Sequence, residues 1–260
     1  MLRKLDDGSV PLRLLYTTLF RLLFSQSFTI LTQCEKRIGS TAVIIKPLGD
    51  IGLLATLPDE AAAVGLAVSI RHANPEWLVD VVPAYATVGV FFNPDRTSTT
   101  EAADWVRKQS PSARPNGPAS AIHAIPVCYE LQQDLNRVAE YCQLTPDEVI
   151  SLHLGTEYTV YAIGFVPGFP YLGYLPEKLR GVPRLDSPRI RVEPGSVGLT
   201  GRQTGIYPLP RPGGWNLIGR TPLTIVDVAD AYFPLRVGDR VRFMRMDTSE
   251  FEKLLGERLV

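Results

Sequence analysis

The 260-residue chain is poor in the residues that most often announce chemistry. It has three cysteines and three histidines. Cys34, Cys128 and Cys142 are far apart, so there is no CxxC pair for a metal or a redox couple. Their number is odd, and they read as reduced thiols of a cytoplasmic protein. His72, His123 and His153 are equally scattered, so a zinc site of His and Cys ligands is not expected, and the metal expectation is none. Net charge is also lacking, with 27 Lys+Arg against 27 Asp+Glu. A balance of zero argues against a nucleic-acid binder, which carries a basic surplus. No uncharged apolar run reaches the 18 residues of a membrane span. There is no GxxxxGK[ST] loop, no GxGxxG after a strand and no GxSxG elbow, so the usual nucleotide and serine-hydrolase signatures are missing.

Glycine and proline, by contrast, are abundant, 43 residues together. Such a chain has many turns and a β-rich part, and is no helix bundle. Residues 1–40 stand apart. Leu12, Leu15, Leu19 and Leu22 follow helical spacing, and the stretch reads as a poorly ordered extension, an amphipathic packing helix or a targeting segment. From 41 the pattern is regular. TAVIIKPLGD reads as a strand ending in a turn. Pro58-Asp59-Glu60 opens a helix, and WLVDVVPAY and TVGVFFNP are strands. Ser98 and Glu101 form a capping box for a helix to about Gln109. This is a small α+β domain, 41–117, of ferredoxin-like type. SPSARPNGPAS (110–120) has linker composition and marks the boundary.

The second domain spans 118–260. HAIPVCY is a strand and DLNRVAEYCQ a helix. Thr145-Pro146-Asp147-Glu148 starts another helix. EYTVYAIGF alternates as a strand, LTIVDV and VGDRVRFMRM are strands, and Thr248 caps a last helix. Residues 164–222 hold 21 of the 43 glycines and prolines. Aromatic residues there (Phe165, Phe169, Tyr171, Tyr174, Tyr207, Trp215) are interleaved with arginines. Between 176 and 220 eight Lys/Arg face three Asp/Glu, a local surplus of five. Glycines permit close backbone approach, and guanidinium groups take carboxylate or phosphate with two prongs. The mix fits a concave site for a small anionic ligand.

The blocks PLGD, VPAY, IPVCY, YTVYAIGFVPGFPYLG, GSVGLTGRQTGIYP and PGGWNLIGRTP occur in this order. The chain thereby resembles the family of 5-oxoprolinase B subunits, also called the kinase A inhibitor (KipI) family. It is similar as well to the first half of the carboxyltransferase region of urea carboxylase, labelled allophanate hydrolase subunit 1. The resemblance covers 41–260. It implies an α+β domain followed by a cyclophilin-like β-barrel, and no counterpart for 1–40. ELQQDL (130–135) stands where family members have a Gly-rich acidic loop, which puts the contacts of that loop in question.

The resemblance further implies ATP-dependent opening of 5-oxoproline to glutamate together with the A and C subunits of the enzyme, the C subunit being KipA-like. ATP would be shared with, or held by, the partner. It also admits a protein-binding inhibitor of a sensor histidine kinase, or a carboxyltransferase component for a urea-like substrate. A reaction of the first kind rests on positioning and positive charge. The residues expected to carry it are Gln203 and Arg220. Those expected to bind substrate or anion are Arg189, Gly198, Gly201, Thr204, Gly205, Phe169, Tyr171 and Trp215. His153 is expected to be structural, and Asp50 to shape a turn.

Overall fold

The computed structural model describes residues 43–109 and 120–260. The expectation for 1–40 and most of the proline-rich linker fall outside the described residues. Ala42–Val260 is one compact unit. It carries a four-stranded sheet with two helices, then a closed barrel with its own.

The sheet is built from β1 (Ile44–Pro47), β2 (Gly52–Thr56), β3 (Leu78–Ala84) and β4 (Thr87–Phe92). Helix α1 (Glu60–Ala73) lies between β2 and β3, and α2 (Thr99–Arg107) follows β4. Asp59 caps α1 by accepting from Ala62 N at 2.7 Å. Ala63, Leu66, Ala67 and Ile70, one face at helical spacing, bury against Leu53, Ala55, Val81, Val88, Val90 and Phe92. The strand order is β1-β2-β4-β3, antiparallel throughout. Strands β2, β3 and β4 with the two helices keep the ferredoxin-like order. Its remaining edge place is filled by β1 from the front of the unit, not by a strand after α2. Sequence reasoning missed β2. All its residues but Thr56 are buried, so GLLAT lacks the alternation that marks a half-exposed strand.

The barrel consists of β5 (Ile122–Cys128), β6 (Glu157–Ile163), β7 (Pro170–Gly173), β9 (Ser196–Thr200), β10 (Gln203–Ile206), β12 (Asn216–Arg220) and β13 (Arg240–Met246). Its order is β10-β7-β6-β13-β5-β12-β9, closed between β9 and β10. One pair, β5 with β13, is parallel. A separate ribbon pairs β8 (Arg189–Val192) with β11 (Arg211–Gly213). Helices α3 (Leu135–Cys142) and α4 (Pro146–Leu154) contribute Val138, Val149 and Ile150 to the barrel core, with Val160, Leu172, Val197, Leu199 and Ile206.

Both expected capping boxes are present, at Ser98/Glu101 and Thr145/Glu148. The last helix, α5 (Thr248–Lys253), is capped by Asp247 and not Thr248, because the Asp247 carboxylate accepts from Glu250 N at 2.8 Å. LTIVDV forms no strand. Thr224 N bonds Glu257 O, and Asp227 and Tyr232 pair with each other, while Ile225 and Val226 fill the core. A short apolar run records burial and does not by itself specify a strand.

Candidate functional site

Side chains alternate across a barrel strand. Leu172, Thr204, Ile206, Val197 and Leu199 are buried at alternate positions, and all but Thr204 belong to the core cluster. Tyr171, Gln203, Gly205 and Gly198 therefore share the opposite, outer face of β7, β10 and β9. Gly205 lies directly across from both Tyr171 and Gly198. The two glycines form a flat shelf. A Cβ on Gly205 would lie 2.8 Å from Pro170 O and 2.9 Å from Phe169 Cζ. One on Gly198 would lie 3.2 Å from Trp215 Cβ. The close approach that sequence reasoning assigned to a ligand is thus made by the chain's own aromatic residues. Phe169 centres a cluster with Tyr171 at 4.8 Å, Tyr207 at 5.2 Å and Trp215 at 5.3 Å. Burial pushes the Tyr207 hydroxyl up to about 12. Gly205→Ala is expected to cost about 1–3 kcal/mol through overpacking against a carbonyl that cannot move aside. Thermal unfolding of the variant measures this.

The shelf continues into a second group at the junction with the four-stranded sheet. Tyr85, in the turn between β3 and β4, has φ 52°. A bulky residue in the left-handed region is a strained choice that the surroundings must impose. Its N–H donates to Tyr161 O at 3.2 Å, its ring packs at 5.4 Å from Tyr161 and 6.0 Å from Tyr174, and its hydroxyl donates to Gln203 Oε1. Burial first, and then the neighbouring tyrosines, raise its pKa well above the ordinary value. The Tyr174 hydroxyl donates to Glu60 at the start of α1, and Arg202 stacks over the Tyr174 ring at 4.7 Å. With Oε1 occupied by Tyr85, the two Nε2 hydrogens of Gln203 have no acceptor among the described residues.

The remaining expected residues lie elsewhere. Thr204 points inward and is fully buried, donating to Gly198 O at 3.0 Å and contacting His153 Nε2 at 3.0 Å. Gly201 makes the β9–β10 turn at φ 57°. Arg189 Nη2 is held by Asp134 at 2.7 Å, and its buried Nη1 has no partner among the described residues. Asp134 belongs to the ELQQDL loop, and its other oxygen accepts from Leu217 N at 2.7 Å, which settles what that loop contacts. Arg220 is paired with Ser196, whereas Gln203 is paired with Thr200. They flank β9 on opposite sides, and the four-residue offset alone separates them by about 13 Å along the strand direction. The structure does not bring the two expected catalytic residues together. Arg220 instead lines its own cavity of about 230 Å³ with Pro194, Pro208, Thr221 and Pro222.

Sequence reasoning passed over Glu60, Tyr161 and Tyr85 as site residues. Only the VPAY block hinted at the last. As expected, His153 is a buried structural residue. No group of three or more His, Cys, Asp or Glu side chains among the described residues is placed to hold a metal. No described helix is long and apolar enough to cross a membrane.

The chain belongs to the family described as carboxyltransferase domain, subdomain C and D, whose family model matches residues 38–234. It is 41% identical to the 5-oxoprolinase B subunit of Escherichia coli O157:H7, over 80% of this chain and 93% of that one. The crystal structure of TTHA0988 is similar with a TM-score of 0.65 and 36% identity, over 76% of this chain. The chain spans 40% of the length of that protein. Kluyveromyces lactis urea carboxylase shares the fold, with a TM-score of 0.64 at 15% identity over 84% of this chain and 23% of that one.

Proposed function

We propose that this chain is the B subunit of an ATP-dependent 5-oxoprolinase, opening 5-oxoproline to glutamate together with the A and C subunits. The observation that carries this reading is the 41% identity along 93% of a relative named as a 5-oxoprolinase B subunit. The site chemistry is compatible. A lactam amide is unreactive, and its opening calls for polarisation of the ring carbonyl. The unpaired Nε2 hydrogens of Gln203 supply donors for such an oxygen. Tyr85 positions them by occupying Oε1, which sets the amide's orientation. The aromatic cluster of Phe169, Tyr171 and Trp215 packs behind Gln203 and stiffens the strands that carry it. ATP supplies the phosphoryl group that activates the carbonyl oxygen. The cavity at Arg220, about 230 Å³, is below the ~300–1,000 Å³ of a pocket that encloses a whole ligand. It fits the anionic end of a nucleotide and leaves the rest to a partner protein.

The test is reconstitution with the A and C subunits, followed by 5-oxoproline-dependent ADP release. Gln203→Ala is expected to lower turnover at least tenfold, about 1.4 kcal/mol. Tyr85→Phe is expected to lower kcat severalfold with KM nearly unchanged, because the amide loses its orientation and not its presence. No 5-oxoproline-dependent release from the wild-type assembly overturns the activity. Wild-type turnover in both Gln203→Ala and Arg220→Ala overturns the site.

A further inference from the structure

We infer that the cavity beside Arg220 is a preformed pocket for a single phosphoryl or carboxylate group, separate from the shelf that holds Gln203. Arg220 is the one charged residue among those lining it. The guanidinium is held at its inner nitrogen, where Nε donates to Pro194 O at 3.0 Å. Its carbon lies over the Phe251 ring at 5.7 Å. No described hydrogen bond or ion pair occupies Nη1 or Nη2, so the outer edge of the fork is available. Glu193, whose carboxylate feels the Arg220 charge, is already bonded to Arg191 at 2.6 and 3.3 Å. A guanidinium held in this way presents two parallel donors to a planar or tetrahedral anion.

A second donor stands next to it. Thr221 is 2% exposed, and its hydroxyl accepts from Leu223 N at 3.3 Å. The hydroxyl hydrogen has no acceptor among the described residues, which leaves it for a ligand oxygen. The walls are stiff. Pro194, Pro208 and Pro222 contribute fixed backbone angles. The C-terminal tail is fastened across one side, with Gly256 N on Pro222 O at 3.0 Å, Thr224 N on Glu257 O at 2.7 Å and Thr224 Oγ1 on Gly256 O at 3.3 Å. Little ordering remains to be done on binding, which favours a small ligand with few contacts. Leu223, Thr224, Leu255 and Gly256 complete the lining. No carboxylate lines the cavity, and the nearby Glu193 carboxylate is neutralised by its ion pair with Arg191.

Calorimetric titration of the full-length chain with inorganic phosphate, and separately with 5-oxoproline, tests the pocket without reference to turnover. Saturable binding of either anion is expected, and which one binds identifies a phosphoryl or a carboxylate source. Arg220→Ala is expected to weaken that binding at least tenfold, and Arg220→Lys to fall between the two, since it keeps the charge and loses the fork. Thr221→Val preserves shape and Arg220, and is expected to weaken binding severalfold. It decides the matter should Arg220→Ala not fold. Absence of saturable binding of both anions at millimolar concentration overturns the inference. So does wild-type affinity in Arg220→Ala, or in Thr221→Val where Arg220→Ala does not fold. Because the readout is binding to one chain, an inactive reconstituted assembly leaves this result standing.

Discussion

Asp134→Ala is expected to destabilise the barrel by about 3–5 kcal/mol, the cost of leaving a buried charge without its partner. One carboxylate oxygen holds Arg189 Nη2 at 2.7 Å and the other accepts from Leu217 N at 2.7 Å. The Asp134 side chain is 8% exposed and that of Arg189 is 24% exposed. The backbone reinforces the same junction, with the N–H groups of Gln133 and Asp134 both donating to Leu217 O. One residue thus ties the start of α3, the β8 strand and β12 together. Removing the carboxylate leaves a guanidinium whose Nη1 already lacks a partner among the described residues. For a chain of this size the loss corresponds to a fall in Tm on the order of 10 °C. Asp134→Asn keeps an acceptor for Leu217 N and loses the charge, and is expected to fall between. The double variant Asp134→Ala with Arg189→Met removes both charges and is expected to recover much of the loss. Equal instability of the single and double variants in thermal unfolding would show that the ion pair is not what holds this junction.

Much of the local structure could be read in advance, because its causes lie within a few residues. Ser98 with Glu101, and Thr145 with Glu148, satisfy each other's backbone three positions away. The alternation of Tyr158, Val160 and Ala162 is a property of one strand and its burial. The site is different in kind. Tyr85 and Gln203 are 118 residues apart and meet only because the β3–β4 turn packs against the barrel. Arg189 and Asp134 are 55 apart. Gln203 and Arg220 look close in sequence, yet each pairs with a different end of β9. Local density was also misleading about purpose. The glycines at 198 and 205 serve the packing of Phe169 and Trp215, which no spacing rule distinguishes from the approach of a ligand. The family-level blocks anticipated the barrel where single residues could not, since they summarise long-range pairing that one sequence does not display.

His153→Phe is expected to flatten the acid side of the stability curve. The imidazole lies in the barrel core, stacked on Phe243 at 4.6 Å, with Nδ1 2.7 Å from the Tyr129 hydroxyl and Nε2 3.0 Å from Thr204 Oγ1. Thr204 spends its one hydrogen on Gly198 O, so it must accept from Nε2–H. Nδ1 then accepts from Tyr129. Both ring nitrogens are satisfied in the neutral form, and burial pushes the pKa down from 6.5 to about 3. The unfolded chain takes up a proton below about pH 6.5, whereas the folded one does not until about pH 3. Stability from this residue is therefore complete above the unfolded value and is lost as pH falls toward 3, by about 1.4 kcal/mol per pH unit. Phenylalanine fills similar space but leaves the Tyr129 hydroxyl unpaired, and is expected to cost about 2–4 kcal/mol at neutral pH. It cannot take up a proton when unfolded. The gap between wild type and His153→Phe should accordingly narrow by about 2 kcal/mol between neutral pH and about pH 5. Urea unfolding at the two pH values measures it, and because other titrating groups are common to both chains, they cancel in the difference. A gap that stays constant would mean that His153 titrates alike in the folded and unfolded chain, and that the Tyr129–His153–Thr204 chain does not hold it neutral.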